Sequence, residues 1–154
     1  MISTPKKEKV KKEYNKISRT KYEKAVDLIL FYMMNDSEYV NLFQNSLGYF
    51  KNKIERVLAA EIIYYKNKHS DINIADFTSY ILNNEELKDK CLEIISEYGS
   101  KELNKEEFNT CINVILDIYH KDKIKELKNE IKNETDLEKK VKLINQLAEL
   151  KKDV

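Results

Sequence analysis

Apolar residues recur at helical spacing along most of the chain and gather into seven segments. The first is the dense run AVDLILFYMM (25–34), followed by EYVNLFQNSL (38–47). The third runs from about Asn52 to Lys68, with Ile54, Val57, Leu58, Ile62 and Tyr65 at spacings of three and four. FTSYIL, ELKDKCLEIISEY, a long stretch from Glu107 to Asn133, and LEKKVKLINQLAELKK complete the series. A 3.6-residue period with polar residues between is the mark of amphipathic helices. Residues 1–19 show no sustained apolar face and read as a basic linker or frayed arm.

The punctuation between segments fits the same reading. Thr20 with Glu23, and Thr135 with Glu138, have the spacing of capping boxes, in which a hydroxyl and a carboxylate each satisfy an orphan amide. Asp36, Asn73, Asn84 and Asn104 sit where side-chain caps are needed. Gly48 and Gly99 fall at helix ends. With only 2 Gly and 1 Pro in 154 residues, a sheet fold lacks its turns. The expected class is all-α: a bundle of about five to six helices, then a long helix and a terminal helical hairpin.

The long segment carries two apolar stripes. Phe108, Cys111, Ile112, Ile115, Ile118 and Tyr119 share one side. Ile124, Leu127 and Ile131 lie nearly opposite, at about 100° of turn per residue. Between them His120, Lys121, Asp122 and Lys123 are all polar. Whether the helix is continuous or broken there, these four residues are the expected junction or hinge. The expected organisation is an arm (1–19), a bundle (20–120) and a hairpin (121–154).

The last helix also has two apolar lines. Leu137, Val141, Ile144 and Ala148 form one, and they are expected to face the hairpin seam. Leu143, Leu147 and Leu150 form the other. A two-helix hairpin cannot bury both. The second line either packs back on the bundle or, together with Ile131, offers a docking surface to another protein. The pattern leaves both readings open.

Charge adds one point. The net charge is +1, but residues 1–24 carry nine Lys/Arg against three Asp/Glu, so this stretch is +6 and the remainder −5. A solvated linker is the plain reading, and contact with nucleic-acid phosphates the sharper one. Cys91 and Cys111 lie in apolar helical patterns without ligand partners, which points to buried free thiols, with neither zinc nor a disulfide. His69 and His120 read as surface histidines. Asp27 and Glu61 stand inside apolar runs, where burial or an ordinary ion pair is to be checked. No phosphate loop, zinc-protease motif or nucleophile elbow occurs, so no catalytic residue, metal site or cofactor is expected. Neither a spanning run nor a signal peptide is found, and the expected location is the cytoplasm.

EKAVDLILFYMMNDSEYVNLF, NKIERVLAAEIIYYKNKHSDINIADFTSYI and KIKELKNEIKNETDLEKKVKLINQLAELKK, in this order, resemble the start, middle and hairpin of the carboxy-terminal helicase-binding domain of bacterial DnaG-type primases. The likeness is one of pattern and order over about residues 22–152 and involves no sharp motif. It implies docking on the amino-terminal collar of a hexameric DnaB-type replicative helicase, with the hairpin supplying most of the attachment and the bundle modulating the helicase. It further implies a non-enzymatic segment of a primer-synthesising parent, monomeric alone, with weak or no nucleic-acid binding of its own. A collar-like oligomerisation domain and a small nucleic-acid-binding protein using its basic arm are the alternatives.

Overall fold

The structure is a computed structural model and describes residues 20–152; the arm at 1–19 lies outside them. Among the described residues there are seven α-helices and no strand. They are α1 (Lys21–Asn35), α2 (Ser37–Ser46), α3 (Lys53–His69), α4 (Ile74–Tyr80), α5 (Glu85–Tyr98), α6 (Lys105–Asn133) and α7 (Leu137–Lys152). The chain divides into two compact units, Met1–Val114 and Ile115–Val154.

In the first unit α1 is the central element. Its ten consecutive residues Ala25 to Met34 are all buried, and it packs against α2, α3, α4 and α5. A helix apolar on every side has to be surrounded to be stable. Each large side chain buried in this way contributes about 1.5–3 kcal/mol. Tyr39, Val40, Phe43, Leu58, Ile62, Phe77, Leu87, Cys91 and Ile94 complete the core from the surrounding helices.

Most caps form as the sequence implies. Thr20 accepts from the Glu23 amide, Asp36 from Glu38, Asn73 from Asp76, and Asn84 from Leu87. Gly48 takes φ +82°, and its amide reaches back to the Phe43 carbonyl at 2.8 Å. A side chain there would be strained, whereas glycine closes α2 freely. Gly99 ends α5 differently. Its φ is an ordinary −56°, but a Cβ would stand 2.5 Å from the Ile95 carbonyl oxygen.

The expected box at Thr135 is displaced by one residue. Asp136 caps α7, accepting from the Lys139 amide at 3.2 Å, while the Asp136 amide donates to Glu134 Oε1 at 3.0 Å. A carboxylate at the next position offers a stronger acceptor than the hydroxyl.

The buried polar groups of the first unit are paired across long sequence separations. Asp27, only 3% exposed at its side chain, meets Lys90 Nζ at 2.9 Å, and the same ammonium lies 3.6 Å from Glu55 Oε1. The hydroxyl of the fully buried Tyr32 donates to Glu107 Oε1 at 2.6 Å and accepts from the Asn104 amide at 2.9 Å. Lys101 Nζ holds the other Glu107 oxygen at 2.9 Å. These bonds anchor the first turn of α6 to α1. Tyr32 also meets Tyr39 edge to face and Phe108 at a tilt, at ring separations of 4.8 and 5.6 Å. Glu61, by contrast, is half-buried and accepts from the Tyr80 hydroxyl at 3.1 Å.

Candidate docking surface

α6 is one unbroken helix of 29 residues, so His120, Lys121, Asp122 and Lys123 are helical. Lys121 pairs with Asp117 one turn back at 3.0 Å, which supports the helix locally. His120 is half-buried rather than a surface histidine, and its Nε2 is buried with no hydrogen-bond partner. Its spacing from the apolar stripe ending at Tyr119 gave no sign of this. His69 is exposed and stacks on Tyr65, ring centroids 4.2 Å apart.

The second unit is the distal part of α6 joined to α7 through residues 134–136. Its most buried hairpin residue is Leu127, at 2% exposure. Ile124 and Ile131 are half-buried on the same stripe of α6. Ile131, expected on the docking surface, therefore belongs with the seam residues.

The two lines of α7 exchange their expected places. Leu143, Leu147 and Leu150 are half-buried. Leu143 borders one groove with Asn129 and Asn133, and Leu150 another with Leu127 and Lys123, so this line faces α6. Leu137, Val141 and Ile144, expected at the seam, are 76%, 49% and 47% exposed, and Ala148 is exposed beside them. Both lines have spacings of three and four, so periodicity cannot choose between them. The two lines are about 120° apart on the wheel, and burial rather than spacing identifies the one that faces α6.

The resulting outer face of α7 is an apolar line three to four residues long with a basic border. Lys140, Lys151 and Lys152 lie within about 70° of its centre, and the nearest carboxylates, Glu138 and Glu149, about 90–110° away. Nothing on this face resembles a reaction centre. Among the described residues no group of three or more His, Cys, Asp or Glu side chains is placed to hold a metal ion. Both cysteines are free and buried, and burial pushes the Cys91 thiol up to about 12 and Cys111 to about 11. Thiols so far from ionising are poor nucleophiles at neutral pH. No helix of the described residues is long and apolar enough to cross a membrane.

Compared with protein-family models, curated proteins and solved structures, the chain matches none.

Proposed function

We propose that this chain is a protein-docking domain of the primase type, whose terminal helix seats on the amino-terminal collar of a replicative helicase. The observation that carries the reading is the exposed line Leu137, Val141 and Ile144 on a compact two-helix unit. Large apolar side chains aligned along an outer helical face mark interaction sites more often than isolated exposed leucines do. The order of the segments, with a bundle, a boundary-crossing helix and a hairpin, supplies the family resemblance that selects the partner. In this role the segment performs no chemistry of its own. It couples a primer-synthesising parent to the unwinding machine by holding the two together, and the bundle modulates the helicase.

The test is a titration of the full chain against a DnaB-type helicase, with two substitutions as controls on each other. Val141→Asp lies on the outer line. It should leave the helical content intact and weaken binding at least tenfold, because a buried apolar contact of about 1.5–3 kcal/mol is lost and each 1.4 kcal/mol is tenfold. Leu147→Asp lies on the seam side and should lower the stability of the hairpin first. Unchanged affinity for Val141→Asp would remove the outer line from the interface. Concentration-dependent self-association of the wild-type chain, abolished by Val141→Asp, would favour the collar-like oligomerisation module instead.

A further inference from the structure

α6 carries a second feature that helicase docking does not use. Lys121, Lys125, Lys128 and Lys132 fall at i, i+4, i+7 and i+11, one stripe within about 40° of a common direction. All four are exposed. Lys121 is engaged by Asp117, but Lys125, Lys128 and Lys132 have no carboxylate partner among the described residues. Among the acidic residues of the same segment, Asp117 engages Lys121, Asp122 stands about 90° from the ladder's centre, and Glu126 and Glu130 about 130–170° round the helix. Like charges at the ladder's spacings repel and destabilise a helix, and opposite charges there would stabilise it. Here Lys125, Lys128 and Lys132 stand together without an ion pair among the described residues.

We propose that this lysine ladder is a binding face for the phosphate backbone of nucleic acid. Eleven residues of helix span about 16 Å, and each strand of a duplex presents a phosphate about every 3.4 Å along its axis. The ladder can therefore follow a run of phosphates along one strand. Lysine supplies a mobile point charge rather than the planar fork that reads base edges. The stripe contains no arginine, asparagine or glutamine, so contact is with the backbone and is independent of sequence. An acidic protein surface is the less suitable occupant. Protein interfaces place apolar and aromatic groups at their centre, and no exposed large apolar residue lies within the ladder. Binding of this kind is weak and salt-sensitive. It refines the expectation of weak or no nucleic-acid contact by giving that contact a location. It is also separate from the docking reading, which concerns the other helix.

The experiment is fluorescence anisotropy of a labelled 20-base-pair DNA duplex of arbitrary sequence, titrated with the full chain at a series of salt concentrations. Three neutralised phosphates contribute a slope of about −2.7 in log affinity against log salt. The triple variant K125Q/K128Q/K132Q should make the slope shallower by about that amount, roughly 0.9 per lysine. Replacing the same three with arginine should preserve it. Lys6, Lys7 and Lys9→Gln in the amino-terminal stretch serve as the comparison. Circular dichroism checks the helix, since the glutamine variant removes repulsion within the ladder and also the favourable charge of Lys132 in the last turn of α6. A slope unchanged by the ladder variant, or lost only with the amino-terminal one, would overturn the assignment. So would a poly-glutamate peptide displacing the duplex as well as unlabelled DNA does at equal charge, which would make the ladder a reader of acidic polypeptides.

Discussion

Replacing Lys90 with methionine should destabilise the first unit severely, although the substitution is nearly isosteric and adds apolar surface. Lys90 Nζ sits 2.9 Å from Asp27 and 3.6 Å from Glu55, with only 3% and 13% of those two side chains exposed. The second Glu55 oxygen is buried and has no hydrogen-bond partner, so this carboxylate already relies on the nearby cation. Removing the ammonium leaves two buried carboxylates facing each other's neighbourhood without it. Breaking a buried pair from one side costs about 3–5 kcal/mol, because the remaining charge keeps its desolvation penalty. Natural stabilities are about 5–15 kcal/mol, so this is a large share. For a chain of this size a loss of 1 kcal/mol lowers the melting temperature by about 2–4 °C, giving a fall of roughly 6–20 °C. Urea unfolding followed by circular dichroism at pH 7 measures it. Adding Asp27→Asn to Lys90→Met should recover part of the loss, since the amide carries no charge to strand. The double-mutant cycle should report a coupling of about 0.5–3 kcal/mol. A Lys90→Met protein within 1 kcal/mol of the parent, with no coupling to Asp27, would show that water screens the cluster and that the burial argument is wrong.

Other consequences are equally direct. Tyr32→Phe deletes the hydroxyl that serves Glu107 and the Asn104 amide, and should cost about 1–3 kcal/mol, read as a lower urea midpoint. Burial together with the Glu107 hydrogen bond pushes the Tyr32 phenol up to about 12. Its ionisation in an alkaline titration at 295 nm should come only near pH 12, and the stability linked to it, complete below pH 10, should fall between pH 10 and about 12. Burial raises Glu107, but the Tyr32 hydroxyl and Lys101 outweigh it and hold the carboxyl below its ordinary value. Its contribution is therefore present above the ordinary carboxylate pKa and lost as pH falls through the depressed one, so Glu107→Gln should flatten the acid limb of a stability–pH curve. Cys91 and Cys111 should resist a thiol reagent in the native protein and react on addition of denaturant. Hydrogen exchange should be faster at 120–123 than in the middle of α1, because these four residues are polar and none is fully buried.

What could be read from the sequence follows the range of the interactions involved. Thr20, Asp36, Asn73, Asn84 and Asn104 act within three residues of themselves, and each is placed by its neighbours alone. The ten-residue apolar run of α1 likewise announces a surrounded helix. The choice between the two lines of α7 is of another kind. Both repeat at helical spacing, so the period alone does not say which leucines meet α6; only the packing of the two helices decides it. Asp27 stands out as a carboxylate in an apolar run, but its cation lies 63 residues away, at Lys90. Nothing near either residue announces the pairing. The burial of His120 Nε2 has the same origin, since a polar flank gives no warning of it.

The central position of α1 also bears on how the chain is made. The most water-averse helix is first among the described elements, and the last groups that cover it include Phe108 in the first turn of α6. Some seventy residues must follow α1 out of the ribosome before these are available. At synthesis rates of about 5–20 residues per second, its apolar run waits roughly 4–15 s for them. Lys90, which compensates Asp27, lies in α5 and also comes late. For those seconds the acid in the middle of the run works in the chain's favour: still hydrated, it interrupts what would otherwise be an uninterrupted adhesive segment. A charge inside an apolar run works against self-association of an exposed segment, so the acid that is costly to bury in the finished protein is useful before it is buried.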